Sequence, residues 1–268
     1  MTSAEQVSDR LLVERADGIV TVTLNRPRRK NAVPPPMWDE LTEVFTEIAN
    51  RRDDRVVILT GAEGDFCSGA DLAGDGDAPP PNQDAHQLAA MRRVGAACIA
   101  IAECPKPTIA KVSGVAVGAG LNMALACDLV IADETARFAE IFAKRGLSID
   151  FGGSWFLPRR IGMHRAKELA FFADLIDATE ADRIGLVNRI VPADELDGIV
   201  ADWAARLAAG PPIALAQTKR LVHESFETTL PQALEREGSA QTVNFSTADT
   251  NEAVSAFIEK RTPVFKGR

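Results

Sequence analysis

The sequence predicts an α/β fold that is strand-rich in its first part and helical in its last. Three features carry that reading. Short β-branched runs alternate with longer amphipathic ones, glycine-rich turns follow two of the apolar runs, and nearly everything after Gly162 has helical periodicity. A chain of 268 residues can bury a large core, and the organisation suggested is an α/β core over residues 1–200 with a helical region over 201–268.

The elements follow in order. Leu11 to Arg15 and Ile19 to Leu24 flank Ala16-Asp17-Gly18, which is a hairpin signal. Pro34-Pro35-Pro36 opens a helix whose apolar stripe is Met37, Trp38, Leu41, Val44, Phe45 and Ile48. Val56 to Thr60 is a continuous apolar run ending at Gly61, as in a buried strand. Residues 73–83 mix glycine, proline and acid and read as a loop. A helix is expected from about Asp84 to Glu103, ending before Cys104-Pro105, and a strand over Thr108 to Val112. Helical patterns then cover 163–173, 179–185, 193–209, 211–224, 230–246 and 249–260.

Composition narrows the function classes. The chain is 46% hydrophobic and 25% charged, with a net charge of −8. That balance argues against a nucleic-acid partner or an anionic membrane surface. The first ten residues are polar, so no signal peptide is expected. Val112 to Ala132 is long enough to span a bilayer, but Ser113, Asn122, Asp128 and three glycines interrupt it; a buried strand, turn and helix is expected instead. Cys67, Cys98, Cys104 and Cys127 form no CxxC pair and read as reduced core thiols of a cytoplasmic protein. His86, His164 and His223 match no metal spacing, so no metal is expected.

Two segments carry the chemistry. Asp65-Phe66-Cys67-Ser68-Gly69-Ala70-Asp71-Leu72 follows one strand, and Gly114 to Asn122 follows another and enters a helix. Small residues at such turns admit a ligand close to the backbone and leave N–H groups free. Two turns together can aim two donors at one oxygen, which makes an oxyanion hole. Each alone is equally readable as a tight turn where only small residues fit. Neither GxGxxG nor a Walker-type lysine is present.

These segments resemble the signatures of the crotonase superfamily, the enoyl-CoA hydratases and isomerases. The resemblance rests on Leu24-Asn25-Arg26-Pro27, Asn31-Ala32, Phe66 to Leu72, Gly118 to Asn122 through Cys127-Asp128, Gly152-Gly153-Ser154, Leu157-Pro158-Arg159, Gly185-Leu186-Val187 and Ala256 to Arg261, in the family's order. It implies a spiral of ββα units with a helical C-terminal region that forms trimers or dimers of trimers. It also implies a CoA thioester substrate and no resident cofactor. The amides of Ala70 and Ala119 would hold the thioester oxygen. Arg28, Lys30, Ser68, Gly69, Asp71 and Leu72 would contact CoA, joined by Phe257 and Lys260 from the tail. The run Arg28-Arg29-Lys30 suits phosphates and is equally readable as a solvated loop.

The chain departs from the hydratase pattern. Asn122 and Phe142 occupy the places of the two glutamates that hold and activate water in that family. Asn122 cannot exchange a proton near neutral pH and Phe142 can do neither task, so standard hydration is not expected. Glu140 is two residues from Phe142, and on a helix that spacing turns it away. Asp150, between apolar residues and Gly152-Gly153, stands where double-bond-shifting relatives carry an aspartate. The surrounding sequence is most similar to the phenylacetate-pathway isomerase branch. One carboxylate suffices for a 1,3-proton shift, and apolar neighbours would raise its pKa toward the useful range. Asp150 is also readable as a helix N-cap. Two further readings stay open: Asp150 as a nucleophile in dehalogenase-like chemistry, cradled by Phe142, Phe151 and Trp155, and a non-catalytic acyl-CoA or lipid-binding protein on the same scaffold.

Overall fold

The computed structural model describes residues 3–73 and 86–268. Strands β1 (Ser3–Ser8), β2 (Leu11–Ala16) and β3 (Ile19–Leu24) form an antiparallel meander. The expected hairpin turns at Asp17-Gly18, both with positive φ, and Leu11, Val13, Val20, Val22 and Leu24 alternate into the core. From β3 onward the sheet is parallel, through β4 (Val56–Gly61), β5 (Thr108–Val112), β7 (Leu129–Asp133) and β10 (Arg189–Val191). The order is β1-β2-β3-β4-β5-β7-β10. A second, three-stranded sheet pairs β6 (Val115–Val117) parallel to β8 (Arg137–Ala139), with β9 (Ile176–Asp177) antiparallel to β8.

Both faces of the parallel strands are covered, which explains their continuous apolar runs. Val57, Leu59, Ala110 and Val112 join the larger core, while Val56, Ile58, Ile109 and Ile131 pack with Leu196, Val200 and Ala204 of α6 (Leu196–Ala208). The larger core takes the predicted stripe of α1 (Pro35–Asn50), whose prolines occupy its first turn. Helix α2 (Gln87–Ala102) ends as expected before Cys104; the start anticipated at 84 lies outside the described residues. Helix α3 (Ala119–Ala126) is buried on every side, and the apolar stretch Val112 to Ala132 holds the expected strand end, turn and helix together with β6 and most of β7, which the sequence reading did not separate. Among the described residues no helix is long and apolar enough to cross a membrane.

One boundary differs. Helix α4 (Gly153–Phe172) begins ten residues before the anticipated start, with Pro158 inside it and a break at Gly162, φ 76° and ψ 162°. The pattern over 163–173 is the part after the break; proline and glycine hide the first part. The later helices α5 (Ala178–Arg183), α7 (Pro212–Glu224), α8 (Leu230–Phe245) and α9 (Ala248–Glu259) fall within a few residues of their expected places. The carboxyl ends of β4 and β5 lead into the two glycine-rich turns, where open α/β sheets bind ligands.

Candidate active site

A buried asparagine ties the first turn in place. Asn31 accepts from the Arg26 amide through Oδ1, and its Nδ2 donates to the carbonyls of Ala62 and Asp65 at 2.9 and 2.6 Å. Its φ of 55° is one that Asn tolerates better than most residues. Arg26 spans to Asp71 at 2.8 Å, with both side chains nearly buried, and donates to the Ala32 carbonyl. The second turn is laced to the first. The Cys67 amide donates to the Val115 carbonyl, the Val117 amide returns to the Cys67 carbonyl, and Val115 N–H donates to Asp65 Oδ1.

Glycine is required where the turns meet. A Cβ on Gly69 would stand 2.9 Å from the Val117 carbonyl and 3.5 Å from the Ala119 nitrogen, and Gly118 has φ 55° and ψ −126°. Ala70 follows the first glycine and Ala119 opens α3, whose first-turn amides have no intrahelical acceptor. Among the described residues neither the Ala70 nor the Ala119 amide donates a hydrogen bond. Two open main-chain donors therefore stand at neighbouring turns.

The acids lie behind the second turn. Asp150 does not cap α4: the N-cap is Gly152, and only the main-chain carbonyl of Asp150 meets the Gly153 amide. Asp150 Oδ1 is buried without a hydrogen-bond partner, and loss of water pushes the carboxyl up to about 6. The next residue, Phe151, holds φ 47°, a strained conformation for a bulky side chain, and its ring lies 5.4 Å from that of Trp38 with the planes tilted by 40°.

Glu140 corrects the sequence reading. It is not on a helix but at the end of β8, with φ −87° and ψ 71°, so the two-residue offset from Phe142 does not turn it away. It is fully buried, and Asn122 Nδ2 donates to its Oε2 at 3.3 Å and to the Asp150 carbonyl at 2.9 Å. Burial, and then the nearby Asp150 charge, push Glu140 up to about 8 despite the Asn122 bond. Sequence reasoning passed over it because the helical assumption was wrong. The available signal was an acid immediately after the β-run Arg137–Ala139.

Comparisons with known proteins identify the family and the fold. A sequence-family model described as enoyl-CoA hydratase/isomerase matches residues 14–268. The chain belongs to the enoyl-CoA hydratase/isomerase family. It is 41% identical over 255 residues to a "Probable enoyl-CoA hydratase" of Rhodobacter capsulatus, covering 95% of this chain and 97% of that one. It is 36% identical over 256 residues to the 1,2-epoxyphenylacetyl-CoA isomerase of Escherichia coli, covering 94% and 96%. The crystal structure of an enoyl-CoA hydratase from Mycobacterium smegmatis superposes with a TM-score of 0.88 at 33% identity, over 96% of this chain and 99% of that one. The fold is that of the crotonases, as the sequence motifs implied.

The residues that the family resemblance marks for CoA fall into two groups. Arg28, Lys30, Ser68, Gly69, Asp71 and Leu72 gather around the first turn. Arg28 and Lys30 are exposed, Lys30 lies 3.4 Å from Asp65, Ser68 Oγ donates to the Arg29 carbonyl, and Leu72 is 70% exposed. Asp71 is engaged with Arg26 and with the Ala73 amide. Phe257 and Lys260 sit at the end of α9, a helix that packs on α8.

The remaining candidates lie outside the Asn122 hydrogen bonds. Cys67 is fully buried and its thiol is pushed up to about 12, so it cannot act as a nucleophile near neutral pH. The aromatic trio is not one cradle. Phe142 lies by Gly118, Phe151 faces Trp38, and Trp155 turns toward Phe156, His223 and the Arg159 guanidinium. A cavity of about 960 Å³ opens on the Trp155 side between α2, α4 and α7. Its lining includes Cys98, Lys106, Gly152 and Lys219 but neither acid and neither open amide.

Proposed function

We infer that this protein isomerises the double bond of an enoyl-CoA, with Asp150 as the proton shuttle. The amides of Ala70 and Ala119 would hold the thioester oxygen as the enolate forms. One observation carries the reading: Asp150 presents a partly buried carboxyl with an unpartnered oxygen and a pKa raised to about 6. Such a group can both take and return a proton near neutral pH. Membership of the family supports an acyl-CoA substrate, and the match to an epoxyphenylacetyl-CoA isomerase supports double-bond or ring chemistry.

The steps balance with a single acid. The Asp150 carboxylate removes a proton from carbon, the electron pair moves toward the thioester, and the oxyanion is stabilised by two main-chain donors. The same carboxyl returns the proton at another carbon, and no resident cofactor is called for. Preorganised donors of this kind are each worth on the order of a hundred- to a thousandfold in rate. The deciding experiment assays Asp150→Asn on a 3-enoyl-CoA and on ring-modified phenylacetyl-CoA. Turnover equal to wild type on both substrates would end the reading.

Hydration is favoured by one observation, that Glu140 brings a second carboxyl to the Asn122 network. Water addition needs two proton-handling groups. Formation of 3-hydroxyacyl-CoA from a 2-enoyl-CoA, lost in both Glu140→Gln and Asp150→Asn, would select it.

We also infer a homotrimer or dimer of trimers. Leu230, Leu234, Val243, Phe245, Val254 and Ile258 of α8 and α9 are exposed apolar side chains that support it. Light scattering coupled to size exclusion tests it, and a monomer would overturn it.

A further inference from the structure

Three unpartnered acceptors belong to residues joined through Asn122, namely Asn122 Oδ1, Glu140 Oε1 and Asp150 Oδ1, with Asp150 joined by its main-chain carbonyl. Only three other buried side-chain N or O atoms among the described residues share that state, and they are scattered over Arg55, Arg159 and Asn244. Buried polar atoms are normally satisfied, so a cluster of unsatisfied ones marks a place built for something other than stability. Asn122 is the link. Its one amide nitrogen reaches both the Glu140 carboxyl and the main chain of Asp150.

We propose that Glu140 is a positioning residue for the acid–base step: an enclosed carboxyl, uncharged during turnover, that fixes Asn122 and through it the Asp150 loop. The proposal rests on the reading of Asp150 as proton shuttle. Its own content is the state and task of Glu140.

Among the described residues, the Asn122 amide is the side-chain partner of Glu140, and no cation pairs with a carboxylate at this position. Helix α3, which supplies Asn122, carries no titratable side chain. From α2, Cys98 lies against the Phe151 carbonyl as a neutral thiol pushed up to about 12. In the turn after Glu140, Lys144 and Arg145 are exposed, and Lys144 pairs with Asp174. From β9, Asp177 caps α5, and Arg137 at the far end of β8 donates to the carbonyls of residues 134–136. On α4, Arg159 lies over Trp155 and meets Glu227. Among the described residues the charge that reaches Glu140 is that of Asp150, and it has the same sign.

A neutral Glu140 has two effects on the chemistry. It lets Asp150 be the acid that ionises first, since like charges in one apolar site cannot both form easily. It also spares the enolate a second negative charge close by. As pH rises past the point where Glu140 ionises, at about 8, the second charge forms beside the enolate and turnover falls.

The test uses the full-length chain with Glu140→Leu, Glu140→Gln and Asp150→Asn, assayed on a 3-enoyl-CoA across the pH range. Glu140→Leu should lower kcat by about tenfold or more with KM nearly unmoved, because an interaction felt in the transition state is lost. Glu140→Gln should recover most of that loss, and the decline above about pH 8 should vanish from its profile. An alkaline limb unchanged in Glu140→Gln overturns the proposal. So does Glu140→Gln as inactive as Asp150→Asn, which would make Glu140 a proton carrier. Full activity in Asp150→Asn would instead remove the shuttle reading, leaving Glu140 to be judged on its state. Infrared spectroscopy reads that state without turnover. A protonated-carboxyl stretch at neutral pH should disappear in Glu140→Gln, and its absence from wild type overturns the proposal.

Discussion

The Asn122 amide leaves no room for a side chain at position 153: a Cβ on Gly153 would stand 2.3 Å from Nδ2 and 2.5 Å from Oδ1. The first turn of α4 is thereby pressed against the group that also holds Glu140 and the Asp150 carbonyl. Gly153→Ala must displace that amide. Overpacking of this kind typically costs about 1–3 kcal/mol, each kcal/mol being roughly 2–4 °C of Tm in a chain of this size. Thermal unfolding checks the stability loss, and turnover should fall with it. An unshifted Tm would mean that the amide is free to move.

Proton return should be visible in the product. With Asp150 pushed up to about 6, kcat/KM for isomerisation should rise through that pH as the carboxylate forms. In deuterated water the product should carry less than a full deuterium when one carboxyl moves the same proton between carbons. Complete labelling, together with a rate independent of pH between 5 and 7, would contradict a shuttle at this position.

Stability should depend on pH through Glu140. Unfolded, it titrates near its ordinary 4.5; folded, at about 8. Between those values the unfolded chain has lost a proton that the native chain keeps, so stability falls as pH rises and levels off above 8. Glu140→Gln carries no such penalty. Its Tm relative to wild type should climb from pH 4.5 to 8, and a relative Tm that declines over that interval refutes the sign.

Legibility in the sequence was uneven, for physical reasons. The hairpin at Asp17-Gly18, the apolar stripe of α1 and the strand Val56–Gly61 each carry a local periodicity that one face of a core imposes. Strands β9 and β10, two and three residues long, are too short to repeat any pattern. The two turns were readable because close main-chain approach demands small residues. Glu140 showed only its place after a β-run; its link to Asn122 comes from another element, and long-range pairing leaves no mark on spacing. The helix N-cap alternative for Asp150 fell to Gly152, whose φ of 75° ends the loop one residue before α4.

The Arg26–Asp71 pair should matter more than exposed ion pairs. Their side chains are 8% and 4% exposed, and Arg26 also bonds the Ala32 carbonyl. Removing one partner of a buried pair typically costs about 3–5 kcal/mol. Asp71→Ala should therefore destabilise far more than Asp197→Ala, whose partner Lys111 meets an 86% exposed carboxylate. Denaturant unfolding compares them, and equal losses would deny the pair a structural role.

The thiols should be silent in the native protein. Cys67, Cys98, Cys104 and Cys127 are free and buried. A thiol-reactive chromophore should label none of them rapidly at neutral pH and all of them after denaturation. Fast labelling of Cys67 in the folded state would show that the first turn opens.

The open amides of Ala70 and Ala119 belong to the main chain, held by Asn31 and by the crossing of two loops. Exchanging a neighbouring acid for an amide or a phenyl ring leaves both donors standing, since they depend on where the polypeptide runs and not on what it displays. Such a scaffold can try new reactions one carboxyl at a time, without first moving either donor.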